Sequence, residues 1–208
     1  MKVRSILFLL ILFASVVPGC TPKAKYERLL KRELASGIRH DSIFFGIYLG
    51  MEQKDFYLHC WELNHKGLIR QGPSNATVEY NINTELKYPA VMEFYPKFNK
   101  GKISEMPVQI KYKGWAPWNK KLSADSLETD ILHWYERVYG GGFISVRHPK
   151  QGVAYVKVNG NRRITIIKQN DLYVWTIFRD MLVKPESHRM DIPDENVPIY
   201  LRRNTDRK

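Results

Sequence analysis

Residues 153–178 read VAYVKVNGNRRITIIKQNDLYVWTIF, and the class of fold turns on how this stretch is divided. Val153–Val158, Arg162–Lys168 and Leu172–Phe178 have the alternation and the β-branched and aromatic content of half-buried strands. Asn159–Gly160 separates the first two, and such a pair between alternating runs is the strongest short-range hairpin signal. Lys168–Asp171 supplies the next turn. These three pieces therefore predict an antiparallel meander.

Working upstream, Phe143–Arg147 adds a fourth strand, and before it lies a helix. Ser123 is suited to cap that helix, Asp125 and Glu128 complement the dipole of its first turn, and Leu127, Ile131, Trp134 and Val138 form an apolar stripe. Gly140–Gly142 ends it, as a C-cap and turn. The same order occurs earlier in the chain. A helix is predicted over Glu52–Lys66, with Phe56, Cys60 and Leu63 on one face and Gly67 behind it. Strands are predicted at Leu68–Arg70, Thr77–Ile82, Ala90–Phe98 and Lys102–Lys113, with turns at Asn83–Pro89 and Asn99–Gly101. The reading is α+β: helices packed on antiparallel β-meanders. Trp61 to Gly67 and Trp134 to Gly140 share a spacing of six, which raises the expectation of tandem helix-plus-four-strand halves at 41–118 and 119–182.

Composition narrows the classes further. The chain has 208 residues, 33 Lys+Arg against 21 Asp+Glu, a net charge of +12 and 44% hydrophobic residues. That apolar content is enough to bury a core, which excludes a disordered chain. Two cysteines exclude a disulfide-stapled miniprotein, and a single long apolar run excludes a polytopic membrane protein.

That apolar run opens the chain: MKVRSILFLLILFASVVPGC at residues 1–20. Lys2 and Arg4 precede a stretch too short to span a bilayer, the pattern of a secretory signal peptide. Gly19–Cys20 resembles the lipobox of bacterial lipoproteins, with Pro18 in place of the usual small or hydroxyl residue. The resemblance implies a signal peptide at 1–19 and acylation of Cys20, which becomes the first residue of a membrane-anchored mature chain. It further implies an envelope protein of a diderm bacterium of the Bacteroidota type. Thr21 and Pro22, with no acid following closely, favour the outer membrane with the domain in the periplasm. Lipobox lipoproteins of this kind bring no assigned activity with them.

The domain map is completed by a membrane-proximal helix within 20–40, an α+β domain at 41–182 and an irregular basic arm at 183–208. The helix, over Lys23–Gly37, carries Tyr26, Leu29, Leu30 and Leu34, a stripe expected to pack on the domain rather than lie on the bilayer. Leu49-Gly50-Met51 before the next helix resembles the helix entry of β-lactamase-inhibitor-protein and outer-membrane assembly-lipoprotein modules. Glu52 stands where those modules often have Thr.

No residue pattern predicts catalysis, a metal site or a cofactor. The six histidines include no H-x-x-x-H pair, and the chain has no C-x-x-C. Cys60 with His133 as base, or a His/Asp pair assembled by folding, would make an envelope hydrolase. Cys60 falls on the apolar stripe of its helix, however, where a core role is expected. Nucleic acid is not expected for an exported chain lacking a recognition module.

The unusual segment is KYKGWAPWNKK at residues 111–121. Trp115 and Trp118 among Lys120 and Lys121 suit stacking on a glycan, insertion at a membrane interface or anchoring of a protein partner. A loop folded back as a plug between the two halves is the favoured alternative, because tryptophan is costly to leave in water. Arg162 and Arg163 are expected to add to a basic face for anionic lipids or other polyanions, with at least one turned inward to a carboxylate. The functional expectation is a lipid-anchored envelope protein acting as a non-catalytic binding or scaffolding module. Envelope protein, glycan and anionic lipid are its candidate partners.

Overall fold

The computed structural model describes residues 21–73, 76–148 and 152–183, the side chain of His148 excepted. The signal peptide expected at 1–19, the acylation expected at Cys20 and the arm expected from 184 onward fall outside the described residues.

Among the described residues three α-helices pack on one antiparallel sheet of nine strands. Helix α1 (Pro22–Ala35) begins at Thr21, whose side chain accepts from the Ala24 N–H, with Pro22 in the first turn. Helix α2 (Gln53–His65) and helix α3 (Ala124–Tyr139) fall within a residue or two of the expected bounds. Gly140, at φ 83°, terminates α3.

The strands are β1 (Arg70–Gln71), β2 (Val78–Ile82), β3 (Ala90–Phe94), β4 (Lys97–Asn99), β5 (Lys102–Tyr112), β6 (Ile144–His148), β7 (Gly152–Asn159), β8 (Arg162–Lys168) and β9 (Val174–Asp180). The single strand expected over Ala90–Phe98 is two, β3 and β4. The break falls at Tyr95–Pro96, where proline has no N–H to give to a ladder.

The sheet order is β1-β2-β3-β5-β9-β8-β7-β6, with β4 paired to β5. Its centre is the β5–β9 ladder, in which Met106 faces Phe178, Val108 faces Thr176 and Ile110 faces Val174. The last strand of each expected half thus joins the other, and one sheet runs through the molecule. The β7–β8 turn is centred on Gly160–Asn161 because Asn159 already pairs with Arg162. Of these two residues only Gly160 has positive φ, as a type II′ turn requires.

Period-two alternation gives the sheet two distinct faces. One carries Met92, Phe94, Val108, Ile110, Ile164, Ile166 and Phe178, all buried in the larger core with Leu127, Ile131 and Tyr135 of α3 and Phe56 of α2. The Tyr135 hydroxyl is hydrogen-bonded to Thr176 Oγ1 at 2.9 Å, so this buried polar tip is satisfied. On the opposite face Tyr26 and Leu30 of α1 pack with Val146, Ala154, Val156 and Val158. Each such large apolar side chain contributes about 1.5–3 kcal/mol on burial, which is why α1 packs on the domain.

A polar network then fixes the linker between α1 and the sheet. Arg39 binds Asp41 and reaches Asp180 at 3.1 Å, while Asn161 accepts from the His40 N–H at 2.7 Å and donates to Asp41 at 2.9 Å. The Gly160 N–H donates to Glu33 at 3.1 Å. Through these bonds the tip of the β7–β8 hairpin holds both the end of α1 and the chain that leaves it.

Candidate functional site

The Trp115–Trp118 loop leaves β5 at Tyr112, and backbone bonds hold it at both ends. The Lys113 N–H donates to the Pro89 carbonyl at 2.9 Å, and the Ala124 N–H donates to the Asp171 carbonyl at 3.0 Å. Between them, Asn119 donates to the Ala116 carbonyl at 2.9 Å and Leu122 to the Asn119 carbonyl at 3.1 Å. Gly114 supplies the positive φ of 71° where the loop departs. The tight turn over 116–119 points Trp118 outward, and it is 85% exposed, while Trp115 is half-buried. Lys120 and Lys121 are exposed on the short 3-10 turn Lys120–Leu122.

The plug expectation therefore fails for Trp118. No gap exists between the two halves for it to fill, because β5 and β9 pair directly. An indole left in water, two and three residues before exposed lysines, forms a small amphipathic segment, suited to a flat apolar or sugar face bearing negative charge.

Arg162 and Arg163 do not belong to this surface. They are 6% and 2% exposed and lie on opposite faces of β8. Arg162 donates to the Ser42 carbonyl and stacks over the Tyr139 ring at 5.0 Å. Arg163 donates to the Tyr26 hydroxyl at 2.8 Å. Burial lowers the pKa of both guanidinium groups. Lys157, also buried, donates to the Gly141 carbonyl beyond the end of α3. Arg162, Arg163 and Lys157 therefore add nothing to an exposed basic face, because β7 and β8 lie inside the sheet, with helices over both faces. Arg179 also turns inward and pairs with a carboxylate, binding Glu105 across β5 and β9.

Cys60 is half-buried, and burial pushes its thiol up to about 12. Its neighbour His59 is hydrogen-bonded through the ring to the Phe45 carbonyl at 2.6 Å, and His133 stands exposed on α3. A thiol in this setting is a core group, since nucleophilic cysteines need the thiolate favoured. Among the described residues no group of three or more His, Cys, Asp or Glu is placed to hold a metal ion. None of their helices is long and apolar enough to cross a membrane.

One surface feature was missed by reading α2 only for its core stripe. Leu58 and Trp61 are 55% and 65% exposed on its outer side. Their place on the helical wheel, opposite Phe56 and Leu63, is the signal that reveals them. Comparison with protein-family models, with curated proteins and with solved structures gave no significant match.

Proposed function

We propose that the protein is a lipid-anchored envelope protein, tethered through Cys20, whose role is non-catalytic binding of an anionic envelope partner. Its contact surface is the Trp115–Trp118 loop with Lys120 and Lys121. The observation that carries this reading is Trp118, 85% exposed at the tip of a loop held by backbone bonds at both ends. Positions 113–122 contain three lysines and no acid, so a negatively charged partner gains from the same surface. The raised pKa of Cys60 weighs against the hydrolase reading. Residence in the outer membrane, with the domain in the periplasm, follows from the lipobox resemblance and Thr21-Pro22.

The halves 41–118 and 119–182 belong to the same proposal. The palindromic strand order, with β5 against β9 at its centre, supports two tandem units of one plan. Such a pairing leaves the loop between the units at one end of the sheet, free of its core.

The test replaces Trp118 with a photo-crosslinking residue in the native host. A discrete adduct, or a polymer-sized smear, that weakens with added salt is expected. Absence of any adduct refutes the contact surface. Acyl labelling that persists in Cys20→Ser refutes the anchor.

A further inference from the structure

The outer side of α2 offers a second surface, distinct from the loop. Phe56 and Leu63 turn inward, and the opposite side carries Lys54, Leu58, Trp61 and His65 in successive turns. Trp61 lies flat against His65, with ring centroids 5.6 Å apart and planes 8° apart, so the helix presents a broad apolar strip. Lys54 and Glu62 flank Leu58 one turn to either side, both exposed and neither in an ion pair among the described residues.

From this arrangement we infer that the face is a self-association surface, occupied by α2 of a second copy of the chain in antiparallel, two-fold symmetric packing. The charge order is the argument. A dyad at Leu58 maps position 54 onto position 62, so Lys54 of each copy meets Glu62 of the other, and the two Leu58 side chains meet on the axis. Each Trp61 then covers the Leu58 of the second copy and the stem of its Lys54. An anionic bilayer fits this face less well. The helix carries Asp55 and Glu62 alongside Lys54, with Lys66 at its C-cap, and α1, which follows the proposed anchor, packs on the other face of the sheet.

The contact is small. A helix of 13 residues is roughly 20 Å long, so the pair buries far less than the ~800 Å² per partner of a stable complex. The association is therefore weak and reversible, and it grows with local concentration, as on a membrane that gathers anchored copies.

Disulfide trapping tests the register directly. Packed helices with axes 8–10 Å apart bring two residues on the dyad to about 5 Å between Cα atoms, within disulfide reach. Concentrated, purified full-length Leu58→Cys protein in a mild detergent is expected to give a linked dimer under oxidation, whereas the native chain, with Cys60 turned inward, is not. Adding Lys54→Glu sets like charges together twice and is expected to reduce the linked fraction about tenfold. Adding Glu62→Lys to that variant restores the pairs and the yield. No linked dimer, a yield indifferent to Lys54→Glu, or failure of Glu62→Lys to restore it overturns the inference. All positions changed are exposed, and an unchanged melting temperature confirms that the fold is intact. A reciprocal charge rescue cannot come from the Trp118 loop or from lipid binding, so the result stands apart from the proposed function.

Discussion

Replacing Gly160 by alanine tests how the hairpin tip positions α1. Gly160 sits at φ 51°, and a Cβ built there lies 2.1 Å from the Ile38 carbonyl oxygen and 2.9 Å from its carbon. Two costs follow. An L-residue with positive φ costs about 1–2 kcal/mol. Relieving the overlap moves the backbone of the 37–40 linker, whose bonds from His40 to Asn161 and from Arg39 to Asp180 must give way. Backbone shifts of this kind cost about 1–3 kcal/mol. A loss near 3 kcal/mol is the central expectation, which in a chain of this size lowers Tm by about 10 °C. Gly101 is the matched control: φ is 77°, and nothing lies within 4 Å of its built Cβ. Gly101→Ala therefore suffers the backbone strain alone. Both variants are melted by circular dichroism beside the parent protein. If Gly160→Ala melts within about 2 °C of Gly101→Ala, the Ile38 contact does not hold the linker and the reasoning fails.

The Glu105–Arg179 pair gives a pH prediction. Burial raises the Glu105 pKa, but the charges of Arg179 and Lys97 outweigh it and hold the carboxyl below its ordinary value. Its contribution to stability is thus complete above the unfolded pKa of about 4 and is lost as pH falls through the lower folded value. Glu105→Gln should cost about 3–5 kcal/mol at neutral pH and lose less on further acidification than the parent, as read from urea melts across pH. Arg162→Ala and Arg163→Ala should each cost about 2–3 kcal/mol in the same melts while leaving the Trp118 crosslink intact, because both side chains hold the interior together. Alkylation of native Cys60 near pH 8, followed by mass spectrometry, should run more than about tenfold slower than in the urea-unfolded chain. Equal rates would contradict the burial that raises its pKa.

Local pattern made the elements readable. The alternation through Val153–Val158 and the Gly140 end of α3 are properties of neighbouring residues, and each appears where the sequence places it, whereas Ser123 stands at the N-cap of α3 without its side chain making the capping bond. The packing of Tyr26 and Leu30 was legible too, since an apolar stripe on a helix needs a partner. Of the candidate site, the loop and its tryptophans were legible as an anomaly, but their exposure was not. Whether Trp118 is wet depends on whether a gap opens between the two halves, and the β5–β9 ladder, between positions about seventy residues apart in the chain, leaves none.

The amino-acid sequence by itself determined the helices, most of the strands, the β7–β8 turn to within one residue and the α+β class, because periodicity and turn chemistry act over a few residues. Tertiary structure alone decided three things. It joined the two meanders through their last strands, buried Arg162 and Arg163 on opposite faces of a covered sheet, and left the outer strip of α2 without a neighbour among the described residues. Each is a question of which distant surfaces meet. Period-two and period-3.6 patterns say that a side chain faces one way or the other, and only the pairing of whole elements says whether water, a helix or another strand is waiting there.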